Sequence, residues 1–241
     1  MTFTSHLIYG EALEFDEEAH AYKWAGNFVP GVTTILQCLG KPALVPWAAG
    51  MTSDYWLDAV KNGRTDFSAI HKESKSAYRK FAKEAADIGQ NVHHYAECFF
   101  KGLELPVLHT DQAKRGVEAF HKWFEAHNVK ILASERRIFS KEHYYAGTCD
   151  FVAKIDGVMG VGDIKTSSGI YPEMRLQTAA YQHALEEEQR VQYPVRWIIR
   201  FDKKTGDFEA KSFYDFELDF QGFRAALTIH RTLQTISQEG K

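Results

Sequence analysis

The chain has 241 residues, 44% of them hydrophobic and 25% charged, with a formal net charge of −3. That is enough chain to fill a sizeable core, and there is no global basic field, so a nucleic-acid partner would have to be met by a local patch or through metal ions. Three widely spaced cysteines, Cys38, Cys98 and Cys149, are too few for a four-cysteine zinc or iron–sulfur site and fit no disulfide framework. The N-terminus has no basic region followed by an apolar stretch, and no run reaches the ~18 apolar residues of a membrane span. A soluble, cytoplasmic protein without a leader is expected.

The segment "LEFDEEAHAYKWAG" predicts an N-terminal hairpin of two short aromatic-rich runs around a polar turn. Pro30 and Gly31 then mark a turn, and Val32, Ile35, Leu36 and Leu39 predict a short helix ended by Gly40. A second helix is expected over 46–62, closed by Asn62-Gly63. Phe81, Ala85, Ile88, Val92, Tyr95 and Phe99 make one apolar stripe and predict a helix over 76–101, with Gly102 as its stop. A further helix is expected over 111–127, capped by Thr110 or Asp111.

After this the period changes from helical to alternating. "VKILASERRIF" predicts a strand with Val129, Ile131, Ala133 and Glu135 on one face. Residues 147–167, "GTCDFVAKIDGVMGVGDIKTS", predict a strand pair joined at Asp156-Gly157. A helix over 173–189 begins at Pro172, "VRWIIRF" and 208–213 are strands, and 217–237 form a closing helix. The order predicts one α/β domain: a central mixed sheet flanked by helices, with residues 1–75 as an N-terminal hairpin and helical extension, 76–215 as the core and 216–241 as a C-terminal helix.

The strand pair holds the chemistry. A two-residue turn sets Ile155 against Val158, and five steps out it sets Asp150 against Asp163, with Lys165 on the same face. Opposed carboxylates repel, and a divalent cation between them removes the repulsion, because carboxylate oxygens suit Mg²⁺ or Mn²⁺. The competing reading is an Asp–Lys surface ion pair on an edge hairpin. The apolar neighbours Phe151, Val152, Ile155, Val158, Met159 and Val161 weigh against it, since buried acids need partners.

Other residues are candidates to join the site. In "GQNVHHYAE", Gly89, His93 and Glu97 form a second stripe. His93 offers a metal nitrogen with Glu97 to orient it, or both histidines simply border the helix. Glu135 either points inward or pairs with Arg136 or Arg137. Gln177 and Tyr181, four apart, share a helix face as site residues or as ordinary packing. His143, Tyr144 and Tyr145 either stack on bases or fill a loop, the loop being favoured. Residues 71–84 carry five basic and two acidic residues. Lys72, Lys75, Arg79, Lys80 and Lys83 are either a phosphate-tracking face or a solvated one. Motifs of the GxxxxGK[ST], HExxH and GxSxG types are absent, which leaves acidic, divalent-metal chemistry.

"GTCD", "GDIKTS" and "QTAAY", preceded by "GQNVHHYAE", resemble the RecB-type branch of the PD-(D/E)XK nuclease superfamily. Within it the chain is similar to small exonucleases of phage and of mitochondrial genome maintenance. "VPGVTTIL" is similar to a segment ahead of such cores, and the ordered motifs span roughly residues 28–181. The resemblance implies a restriction-endonuclease-like core that hydrolyses DNA phosphodiesters with one or two Mg²⁺ or Mn²⁺ ions. His93, Asp150, Asp163 and the backbone carbonyl of Ile164 would be metal ligands, and Lys165 would orient the attacking water and stabilise the transition state. Gln177 and Tyr181 would support the site or contact DNA, Glu135 would be an accessory acid, and Thr166 and Ser167 would join the basic helix in holding nucleic acid. The iron–sulfur cluster of some relatives is not expected here. The implied setting is DNA recombination, repair or replication in a phage-infected or prokaryotic cell, with a single-strand annealing or binding protein as a further partner and no membrane. Other readings are a silent nuclease-fold module that binds DNA or a partner, a structure-specific endonuclease, and a hydrolase of another phosphate ester.

Overall fold

The computed structural model describes residues 3–41 and 44–239. The chain forms two compact units, Met1–Leu39 with Val92–Lys241, and Gly40–Asn91. Its elements in chain order are strands β1 (Phe3–Ile8), β2 (Glu11–Asp16), β3 (Ala21–Trp24) and β4 (Asn27–Val29), then helices α1 (Val32–Leu36), α2 (Leu44–Lys61), α3 (Phe67–Lys101) and α4 (Asp111–Ala126). Strands β5 (Val129–Ser140), β6 (Tyr145–Ile155) and β7 (Val158–Lys165) follow, then α5 (Pro172–Gln189), β8 (Val195–Phe201), β9 (Phe208–Phe213) and α6 (Phe216–Glu239).

The expected N-terminal hairpin is the centre of a larger element, an antiparallel four-stranded sheet β1-β2-β3-β4. The two extra turns are Tyr9-Gly10 and Ala25-Gly26, with φ of 51° and 77°, and 48° and 78°. Both residues of each turn are left-handed, as a two-residue hairpin turn of this hand requires. Tyrosine and alanine carry no side-chain preference for that region, so only the glycines announce these turns. Leu13, Phe15, Tyr22 and Trp24 are buried with Phe139 of β5 and Ala146 of β6, and Trp24 stacks on Phe139 at 4.2 Å.

The second sheet is mixed, in the order β5-β6-β7-β8-β9, and β7 with β8 is its parallel pair. A parallel neighbour needs a crossover, which α5 supplies. The alanines of α5 let it lie close, with Ala179, Ala180 and Ala184 fully buried. They pack with Val32 and Ile35 of α1, Val152, Val161, and Phe223 and Leu227 of α6. The opposite face is covered by Ala119, Phe120 and Trp123 of α4 and by Val92 and Ala96 of α3, over Phe151, Ala153, Ile155, Ile199 and Phe201. Thr110 caps α4 by accepting the Ala113 amide at 3.1 Å. Helices therefore cover both faces of the five-stranded sheet.

In the unit Gly40–Asn91, α2 matches its expected span, while α3 starts nine residues before the expected Lys/Arg-rich helix. Asp66 caps that start by accepting the Ala69 amide at 3.0 Å. Ile70 and Ala77 are buried, whereas Phe81, assigned to the apolar stripe, is exposed. The register of β5 shifts between Ile131 and Ala133. Ala133 consequently packs against the α5 side while Val129 and Ile131 pack against the α4 side, which corrects the single face expected for the three.

Candidate functional site

Asp156 and Gly157 take φ of 50° and 90°, and the turn they form sets the predicted register from Ile155↔Val158 out to Phe151↔Gly162. Gly162 has a steric purpose, because a Cβ there would fall 1.9 Å from the Phe151 ring. The next expected pair, Asp150 with Asp163, lies beyond the ladder. The two acids carry no ladder pairing with each other: Asp150 Oδ2 accepts the Ile164 amide at 2.5 Å, and Asp163 pairs on the other edge of β7 with Ile198 of β8. On the same edge of β6, Ala146 bridges to Gly31 and donates to the Pro30 carbonyl at 3.0 Å. Asp150 thus sits where β6 passes from the "VPG" segment to β7.

Asp163 is almost wholly buried, with its side chain 3% exposed. Gln177 Nε2 donates to its Oδ1 at 3.2 Å. Its Oδ2 is buried and forms an ion pair with the Lys165 ammonium. Lys165 also donates to Gln177 Oε1 at 3.1 Å, and Gln177 Nε2 reaches the Tyr181 hydroxyl at 2.8 Å. The four-residue step on α5 therefore joins Gln177 and Tyr181 to the acid–lysine pair. A Cβ at Gly147 would lie 2.9 Å from the Tyr181 ring, so the glycine of "GTCD" makes room for that tyrosine. Burial pushes Asp163 up to about 6 against the opposing pull of Lys165, with the Asp150 charge adding to the rise. Burial works against charge on Lys165 too, but Asp163 and Asp150 hold its ammonium above the usual lysine value.

His93 Nδ1 stands 3.4 Å from Asp150 Oδ2. Burial disfavours both charges, yet each partner outweighs it: Asp150 raises the imidazole and His93 lowers the carboxyl. The expected support of His93 by Glu97 is not found. Glu97 pairs with Lys101 at 2.5 Å and with His94 at 3.6 Å, because the helix turn aims its carboxylate along the solvent side.

Glu135 has φ of 50° and, among the described residues, is the one left-handed non-glycine residue inside a strand. That conformation costs about 1–3 kcal/mol and persists only where the surroundings impose it. It drops Glu135 from the ladder, opposite Asp150. Burial, then the charges of Asp150 and Glu97, push its carboxyl up to about 7. Both readings of Glu135 hold together: it faces the site, and its Oε2 is 3.5 Å from Arg137. Arg137 also donates to Thr148 Oγ1 at 2.9 Å, the hydroxyl that Tyr22 reaches at 2.9 Å. No sequence signal points to this Tyr22–Thr148–Arg137 chain, because β3, which carries Tyr22, lies far away along the chain.

Lys72, Lys75, Arg79, Lys80 and Lys83 are all exposed on α3 within the second unit. Lys83 pairs with Asp87 at 2.7 Å and Arg79 lies over its neighbour Tyr78. Thr166 and Ser167 follow β7, and Ser167 Oγ donates to the Gly169 carbonyl at 2.8 Å.

His93, Asp150 and Asp163 are not a preassembled ligand group. Among the described residues, the one set of three ligand atoms all within 4.8 Å of one another is Glu142, His143 and His183. Around the acids, Lys165 and the Ile164 amide hold the positions a cation would take. The Ile164 N–H meets Asp150, so the residue expected to offer its carbonyl as a ligand lies beside the first acid. Two carboxylates and an imidazole, with Asp163 Oδ2 held by the Lys165 ammonium alone, still form a donor set that fits a divalent cation. No protein-family model matches the chain, and no curated protein sequence is significantly similar to it.

Proposed function

We propose that the chain is a divalent-metal-dependent deoxyribonuclease, an exonuclease with a restriction-endonuclease-like core built on β5 to β8 and the crossover helix α5. The observation that carries this reading is the buried Asp163. It lies in β7 just past the β6 ladder, paired with Lys165 and linked to Asp150 and His93 by mutual charge. Burying two acids beside one ammonium and one imidazole is costly for stability alone. As a site for a cation and a phosphodiester, the same groups have a purpose.

Asp150, Asp163 and His93 would hold Mg²⁺ or Mn²⁺. Bound there, such an ion supplies Lewis-acid polarisation of the phosphodiester and a water of lowered pKa. Lys165 leaves Asp163 for the attacking water and the non-bridging phosphate oxygen, where its positive charge stabilises the transition state. Gln177 keeps a hydrogen bond on both Asp163 and Lys165, so it fixes their spacing while the ion pair loosens. Tyr181 orients Gln177. Glu135, poised near neutrality, accepts a proton beside Asp150 and would be a ligand for a second cation there. The exposed basic residues of α3 supply phosphate contacts, with a salt-dependent affinity.

Digestion of 5′- and 3′-labelled single- and double-stranded DNA with Mg²⁺, Mn²⁺ or EDTA tests the reading. We expect metal-dependent release of short products from one end. Products arising from internal sites would favour a structure-specific endonuclease. Absence of cleavage on every substrate would leave a DNA- or partner-binding module.

A further inference from the structure

A second polar cluster lies at the far end of β6. The turn between β5 and β6 carries Glu142 and His143, and α5 carries His183. We propose that these three residues form a separate transition-metal site, taking Zn²⁺ or a similar ion, that clasps the turn onto α5.

Three observations support the site. The first is spacing. Glu142 Oε1 is 3.6 Å from His143 Nε2, and Glu142 Oε2 is 3.8 Å from His183 Nε2. Zinc bonds of about 2.0–2.1 Å in a tetrahedron set ligand atoms roughly 3.3–3.4 Å apart. With one ligand atom from each residue, the three atoms lie within 4.8 Å of one another, and rotation of the exposed glutamate and of His143 on its turn is what brings them to tetrahedral spacing.

The second is the tautomer of His183. The Tyr145 hydroxyl donates to the Ala180 carbonyl at 2.8 Å, so its proton is committed. His183 Nδ1 lies 3.3 Å from that hydroxyl and must donate to it. The lone pair is then on Nε2, the atom that faces Glu142. Glu187 stands 3.9 Å from the same Nδ1 and is itself fixed by Ser140 Oγ at 2.6 Å and the Lys141 and Glu142 amides at 2.9 and 3.1 Å. At 3.9 Å Glu187 does not accept that N–H, which goes to Tyr145, but its negative charge behind the ring favours a cation bound at Nε2.

The third is rigidity. The His183 ring stacks on Phe220 at 4.2 Å with 12° between planes, and the His143 carbonyl accepts Arg231 at 2.6 Å. Two imidazoles and one carboxylate select Zn²⁺, Co²⁺ or Ni²⁺ over Mg²⁺. The glutamate is 66% exposed, so an ion reaches the site from solvent, and water can take the fourth position. The clasp would fix α5 two residues beyond Tyr181.

The test is titration of the full-length protein with Co²⁺, read by visible absorption, and with Zn²⁺ against a chromophoric chelator, in excess Mg²⁺. Wild type and Asp150→Asn should each bind one equivalent with an intense Co²⁺ band. Glu142→Gln and His143→Gln, both on a surface turn, should each weaken binding at least tenfold, and Glu187→Gln about tenfold. Unchanged binding in His143→Gln, loss in Asp150→Asn instead, or no Co²⁺ band in wild type would overturn the proposal.

Discussion

Strand β6 and helix α5 each serve two polar clusters, and the clusters differ in kind. At one, Asp150, Asp163 and Lys165 are mostly buried, and Asp163 is 3% exposed. At the other, two imidazoles meet a carboxylate that is 66% exposed. The first is oxygen-rich and balanced by an ammonium and an imidazole inside the protein. The second is nitrogen-rich, with its histidines held by hydrogen bonds and stacking. Burial makes charge compensation compulsory at the first cluster, so removing one member should cost stability as well as chemistry without changing the fold. At the second cluster solvent shares the compensation, so removing a member should cost mainly ion binding.

Variants of the buried cluster separate these effects most widely. Asp150→Asn and Asp163→Asn should each lower turnover on DNA by about a thousandfold or more. Circular dichroism should show the fold intact. Near-normal turnover in either would remove that residue from the site. Lys165→Met should abolish activity and, without metal, leave Asp163 buried and unpaired, destabilising the protein by roughly 3–5 kcal/mol in urea unfolding. Added Mg²⁺ should recover part of that loss, and a loss indifferent to Mg²⁺ would argue for a purely structural ion pair.

Smaller changes sharpen the contrast. Gly162→Ala forces a Cβ into the Phe151 ring and should cost ~1–3 kcal/mol as overpacking. Glu135→Gly should move in two directions. Relief of the left-handed strain at φ 50° should raise stability by about 1 kcal/mol, while activity falls about tenfold. A variant that loses both would mean that the carboxylate is structural. Last, replacing Lys72, Lys75 and Lys80 by alanine should leave turnover at saturating DNA unchanged. The slope of log affinity against log salt should become shallower by roughly 0.7–0.9 for each phosphate that the variant no longer neutralises.

The parts of the molecule legible in sequence are those with a local cause. Asp156-Gly157 sets the β6–β7 register, Thr110 the start of α4 and Pro172 the start of α5. The identities of Asp150, Asp163, Lys165, Gln177 and Tyr181 as neighbours follow from period two in the strands and the four-residue step in the helix. The illegible parts depend on distant chain. Tyr9-Gly10 and Ala25-Gly26 hide two hairpins because only their glycines signal a turn. The strain at Glu135 and the slip at Ile131/Ala133 come from pairing with β6, and no local propensity encodes them. His183 has its partner Glu187 four residues on, the same spacing that singles out Gln177 and Tyr181. Its other partners, Glu142 and His143, come from a turn that no local pattern ties to α5.

The claim most exposed to test is that the buried acids form a cation site. Mn²⁺ titration followed by electron paramagnetic resonance, in a His183→Asn background that removes the second cluster, addresses it without DNA. The account predicts Mn²⁺ binding that Asp150→Asn or Asp163→Asn weakens by at least about tenfold. Equal Mn²⁺ affinity in the background protein and in both asparagine variants would contradict it.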